Sequence, residues 1–301
     1  MPLPDIRPDL GRFAQVRAGW RARTLVIAAT AGVALAHTGA ATAHAQTAGE
    51  EAHALARSIA AAGPRPAGSP AERRAQDRVA ARFRRAGLRL ATDTFAVPKR
   101  GVRSRNVIGI RDTPARCLIV LMAHSDTVPP APGADDNASG LGTLAALATR
   151  LPAEPACDVW LVATGAEERI HTGSPDHLGA LALVRRVKRL GRARDLRFAL
   201  SLDEVGRGTT FWLRSPVAQP RPRVERALLT RADDAGVAVR WVADSGTGNS
   251  DHREFELAGL PAMKLGVPDD PCRHEACDTP SRLQRGAFDR VIRVVRRVLA
   301  G

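Results

Sequence analysis

From residue 50 to residue 300 the chain alternates short strand-like apolar runs with amphipathic helix-like stretches, and this alternation leaves few architectures open. It predicts an α/β three-layer sandwich: a mixed, mostly parallel sheet with helices on both faces. The strand-like runs are Leu88–Phe95, Asn106–Ile110, Cys117–Ala123, Cys157–Ala163, Phe198–Leu202, Thr209–Leu213, Val237–Val242 and Ala262–Leu265. Helix-like stretches fall at Glu50–Ala62, Ala138–Leu151, Leu178–Leu190, Arg221–Ala235 and Gln284–Leu299. A further helix opens at Ser69-Pro70, with Ser as N-cap and Pro in the first turn, and ends at Gly87.

The N-terminal 45 residues read differently. An apolar run from Leu25 to Ala36 follows Arg17, Arg21 and Arg23 and is too short to span a bilayer. It leads to Ala43-His44-Ala45, the small-x-small pattern of signal-peptidase cleavage. Residues 1–45 are therefore expected to be a secretory signal and 46–301 a single catalytic domain, exported to the periplasm, the cell envelope or the medium. An uncleaved anchor is the alternative, and with no Cys after the run lipid attachment is not expected.

Loss of residues 1–45 removes five Arg and two Asp, taking the formal charge from +14 to +11. So basic a chain raises the question of nucleic acid, but seven Phe, four Trp and no Tyr give no stacking platform, and nucleic-acid binding is not expected. The Arg cluster on helix-like stretches and read as a solvated surface, with a weak attraction to anionic envelope surfaces. Of the four cysteines, Cys272 and Cys277 flank His274, and a bridge there would stiffen its loop. Cys117 and Cys157 each open a strand-like run and either pair across neighbouring strands or stay as buried thiols.

Polar motifs sit just beyond the carboxyl ends of these runs, where open α/β sheets build their ligand sites. Cys117–Ala123 delivers His124-Ser125-Asp126, followed by Gly133-Ala134-Asp135-Asp136-Asn137-Ala138-Ser139-Gly140. Cys157–Ala163 delivers Glu167-Glu168, Phe198–Leu202 delivers Asp203, and Ala262–Leu265 precedes His274. Any one of these is more often a solvated surface feature. Together, two His and three carboxylates after successive strands suit two zinc ions about 3.5–4 Å apart with one carboxylate between them. Consecutive acids at Asp135-Asp136 fit a calcium loop poorly. Asp126 stands two residues from His124, placed to accept the other ring N–H.

These motifs, with Gly63-Pro64-Arg65-Pro66-Ala67-Gly68-Ser69, Ser250-Asp251-His252 and Gly259-Leu260-Pro261-Ala262, resemble the zinc aminopeptidases of metallopeptidase family twenty-eight. The resemblance runs over nearly all of residues 50–300 and implies the fold of a zinc peptidase. It implies that His124 and Asp203 hold one zinc, Glu168 and His274 the other, and Asp136 bridges them. Glu167 becomes the general base and peptides the substrate; separately, a monomer is the expected working form. Two positions depart from the family pattern. Arg273 stands where an aromatic residue, commonly Tyr, is usual; it either stabilises an oxyanion, reads an acidic substrate group or points outward. Glu204 stands where an apolar residue is common and either binds the substrate's amino group or supports Asp203.

Three rivals follow from the same motifs. Dizinc amidohydrolases and carboxypeptidases insert a lid of roughly a hundred residues, the size of a domain. Only 71 positions separate Asp203 from His274 here. A glutaminyl cyclase uses one zinc and would not need His124. A non-catalytic homologue would have lost ligands that this chain keeps.

Overall fold

The computed structural model describes residues 46–246 and 248–301; the expected signal segment and its cleavage site lie outside them. Helices α1 (Ala48–Ala60) and α2 (Pro70–Arg85) open the described chain. Thr47 and Glu50 form a capping box on α1, and Ser69 accepts from the Glu72 N–H to cap α2. Strands β1 (Arg89–Val97) and β2 (Val102–Arg111) form a hairpin closed at Gly101, whose φ of +63° suits a residue without a Cβ. There follow β3 (Leu118–His124), α3 (Gly140–Ala148), β4 (Asp158–Thr164), α4 (Arg169–Thr172) and α5 (Leu178–Arg189). The chain ends with β5 (Leu196–Leu202), β6 (Thr210–Ser215), α6 (Glu225–Asp234), β7 (Ala238–Ala243), α7 (His252–Leu257), β8 (Ala262–Gly266) and α8 (Arg285–Ala300).

The strands make one mixed sheet in the order β1-β2-β4-β3-β5-β8-β6-β7. Its centre, β4-β3-β5-β8, is parallel. Alternation along the central strands explains the layers. Ile119, Leu121 and Ala123 of β3 face one way, into a core with Ile59, Phe83, Leu144, Leu228 and Phe288 from α1, α2, α3, α6 and α8. Val120 and Met122 face the other way, against Leu183 of α5 and Phe255 of α7. Each such side chain, fully buried, contributes about 1.5–3 kcal/mol of transfer free energy.

Where elements differ from the sequence expectation, the causes are local. β2 starts earlier than Asn106 because pairing with β1 carries the polar Arg103 to Arg105 into the ladder. α3 begins at Gly140 rather than Ala138 because Asp136 (φ −106°, ψ 88°) and Asn137 (φ −137°, ψ 43°) are not helical. The single-turn α4 and the six-residue α7 are too short to show a period. Both disulfides form. Cys117 and Cys157 sit one residue before the paired Leu118 and Asp158, which brings their Cα atoms to 4.8 Å, and Cys272 joins Cys277.

Candidate metal centre

Because β3, β4, β5 and β8 run parallel, their carboxyl ends meet at one edge of the sheet, and there the motifs converge. His124 is the last residue of β3 and is buried. Its Nε2 lies 2.9 Å from Asp136 Oδ1 and 3.4 Å from Asp203 Oδ1. His274 reaches the same carboxylate from the far side, with Nε2 3.1 Å from Asp136 Oδ2 and 3.2 Å from Glu168 Oε2. Two triads therefore share Asp136: His124-Asp136-Asp203 and Asp136-Glu168-His274.

Two carboxylates outside the triads fix the loops that carry them. Asp126 accepts from the backbone N–H of Glu167 at Oδ1 and of Glu168 at Oδ2, both at 3.0 Å. Asp278 does the same for Asp135 and Asp136, at 2.8 and 3.0 Å. The role read for Asp126 from sequence thus shifts. His124 Nδ1 faces the Asp126 backbone carbonyl at 3.2 Å, while the nearer carboxylate oxygen is 3.8 Å away. The carbonyl, rather than the side chain, meets that ring nitrogen, because the carboxylate is spent on the Glu167-Glu168 turn. Buried Arg65 donates to the carbonyls of Ser125, Pro132 and Gly133 and so ties down the loop between His124 and Asp136.

Glu204 does not stand open to solvent. Its Oε2 is 3.1 Å from the ammonium of Lys264, which also sits 2.9 Å from Asp203 Oδ2. Lys264 is buried in β8, and the sequence reading passed over it. The signal was present as one cation inside an otherwise apolar strand run. Arg273 leans over the centre, with Nε 3.6 Å from Asp136 Oδ2. Neighbouring carboxylates hold its guanidinium charged against the opposing effect of burial.

The donor set tests whether a metal fits. Among the described residues Asp136 Oδ2, Glu168 Oε1, Asp203 Oδ1 and His274 Nε2 are buried without a hydrogen-bond partner, although opposing atoms lie close. Buried polar atoms are otherwise almost always satisfied, so their convergence here calls for a cation. The charge balance agrees. Burial, reinforced by Asp136, pushes Glu168 up to about 8, and contacts with Asp136 and Glu168 push His274 up to about 10. Burial opposes charge on His124, yet Glu167, Asp136 and Asp203 draw it well above its ordinary value. A cluster this short of positive charge, built from imidazole and carboxylate, suits zinc.

Glu167 faces a cleft of about 420 Å³ lined also by Glu168, Asp176, His177, Arg273 and His274. Burial would raise its pKa, but His124 and His177 lower it below the ordinary value. The carboxylate is thus ionised at neutral pH and able to take a proton. Among the described residues, the stretch from Asp203 to His274 holds β6, α6, β7, α7 and β8, all within the one sheet and its helical layers, with no lid domain between.

The model of peptidase family M28 matches residues 106–299. The alkaline phosphatase isozyme conversion protein of Escherichia coli K12 is 30% identical over 254 residues, 72% of each chain. A zinc aminopeptidase from Bacillus subtilis superposes with a TM-score of 0.69 at 16% identity, over 83% of this chain and 93% of that one. A glutaminyl cyclase from an Acidobacteriales bacterium gives 0.71 at 22% identity, over 86% and 96%. The family match extends over most of the described chain and takes in every proposed ligand, so this protein belongs to peptidase family M28.

Proposed function

We propose that this M28 peptidase is an exported aminopeptidase that works with two zinc ions. The observation that carries the reading is Asp136, whose two oxygens face two histidines in two separate triads. His124 and Asp203 would hold one ion, Glu168 and His274 the other, with Asp136 between them. Bound zinc supplies a Lewis acid for the scissile carbonyl and lowers the pKa of a nearby water. Glu167 takes the proton of the attacking water and returns it to the departing amine. Asp126 keeps Glu167 and Glu168 in register by holding both of their N–H groups. Arg273 presents a permanent positive charge where the carbonyl oxygen turns anionic. Export is supported by the Arg-flanked apolar run, by Ala43-His44-Ala45 and by two disulfides.

A glutaminyl cyclase reading has one observation in its favour. The Lys264 ammonium beside Asp203 gives the His124 side of the centre a fixed positive charge, as a one-zinc site would suit. Peptides with free, acetylated and N-terminal glutaminyl ends, with and without C-terminal amidation, separate the readings. Hydrolysis that needs a free amino end and ignores amidation is expected. Dependence on a free carboxyl end, or ring closure of the glutaminyl peptide without hydrolysis, would overturn the aminopeptidase reading.

A further inference from the structure

The turn after β4 is gripped at both ends. Ala166 and His177 have φ values of +53° and +47°, a region that non-glycine residues seldom occupy and that marks functional sites when they do. Their backbones close the segment between them: the His177 N–H donates to the Glu167 carbonyl at 3.2 Å and the Leu178 N–H to the Ala166 carbonyl at 2.9 Å. The conformation turns the His177 ring inward. There Nε2 lies 3.3 Å from Glu167 Oε1, and Nδ1 lies 3.5 Å from Glu254 Oε1 and 3.7 Å from Asp176 Oδ1. The ring is buried, and Nδ1 has no aligned hydrogen bond.

Asp176, His177 and Glu254 could by themselves hold a cation. That place is taken, because the Arg253 guanidinium is paired with both Asp176 and Glu254. What remains for His177 is its contact with Glu167. We infer that His177 is a positioning residue for the general base: its Nε2–H fixes the Glu167 carboxylate towards the cleft, while the carboxylates of Asp176 and Glu254 flank the ring's other nitrogen. The inference rests on Glu167 being the base. A carboxylate has two rotatable χ bonds beyond Cβ, and a displacement of about 1 Å at a reacting group costs on the order of 100-fold in rate.

The test is a cycle of four proteins plus one conservative variant. His177→Asn suits the left-handed backbone but is too short to reach Glu167. It should lower the turnover number about 10–100-fold, with the Michaelis constant and zinc content unchanged. His177→Gln, which returns an amide donor near the Nε2 position, should recover much of that loss. In a Glu167→Gln background His177→Asn should cost nothing further, since two changes acting through one group do not add. Wild-type turnover in His177→Asn overturns the inference, as does an equal loss in the Gln variant or the full loss repeated in the Glu167→Gln background. Glu167→Gln with wild-type turnover would instead overturn the assignment of the base, and the inference with it, and is read separately.

Discussion

Glu167 and Glu168 are chain neighbours with unlike surroundings, and single atoms decide what each does. Glu168 Oε2 meets His274, while Glu167 Oε1 meets His177 at the cleft. Glu167→Gln keeps the shape and deletes proton transfer, so turnover should fall about 10²–10⁴-fold with zinc retained. Glu168→Gln should instead lose zinc, read by elemental analysis of the dialysed variant. If both kept zinc and activity, the division of labour would be wrong. Arg273 overhangs Asp136 with its charge secured by carboxylates, which favours service to the oxyanion over capture of an acidic substrate. Arg273→Ala should lower the turnover number on neutral and acidic peptides alike, by around 2.7–4 kcal/mol in barrier if it matches a lost oxyanion donor. A rise in the Michaelis constant for acidic peptides alone would show the other role. At this scale the meeting of these side chains was legible because each follows a strand-like run: His124 and Asp136 the first, Glu168, Asp203 and His274 one each. Asp278 and Lys264 were not singled out, since their partners Asp135, Asp136 and Asp203 lie far away in sequence and meet them only in the fold.

Elements carry the proposed ligands, and two covalent ties brace them. Cys117–Cys157 links the starts of β3 and β4 across a sequence separation of 40. Chain-entropy arguments give such a loop about 4 kcal/mol, so replacing both cysteines by Ser should lower unfolding stability by up to that amount and leave zinc affinity alone. Cys272–Cys277 spans only 5 positions, worth about 2 kcal/mol on the same argument, yet it encloses His274. The Cys272→Ser/Cys277→Ser pair should therefore weaken zinc retention more than it lowers stability. Denaturant unfolding with parallel zinc titration distinguishes the two patterns, and equal effects from both pairs would contradict this account. The sequence disclosed β3 and β4 well, because both are buried on both faces and read as near-continuous apolar residues. It disclosed the hairpin poorly. Burial alternates along β1, and the start of β2 is polar, so pairing rather than hydrophobicity sets their ends.

At the scale of the whole molecule, alternating strands and helices were enough to specify a sheet covered on both faces, and chain order put the site at the carboxyl edge of its parallel centre. Strand order was beyond that reading. β6 and β7 continue the sheet past β8, with β6 antiparallel to β8, because the short connection after β5 holds no helix and turns the chain straight back, and periodicity carries no information about strand direction or order. Among the described residues no helix is long and apolar enough to cross a membrane. The charge deficit at the centre, where surrounding carboxylates raise both histidines above their ordinary value, is the feature that bound zinc would relieve. Zinc content therefore tests the central claim most directly: elemental analysis of the purified, active protein spanning residues 46–301, before and after chelation. The account predicts two zinc ions per chain, loss of peptidase activity when they are removed, and recovery when zinc is restored. Full activity with one zinc ion or none would contradict it.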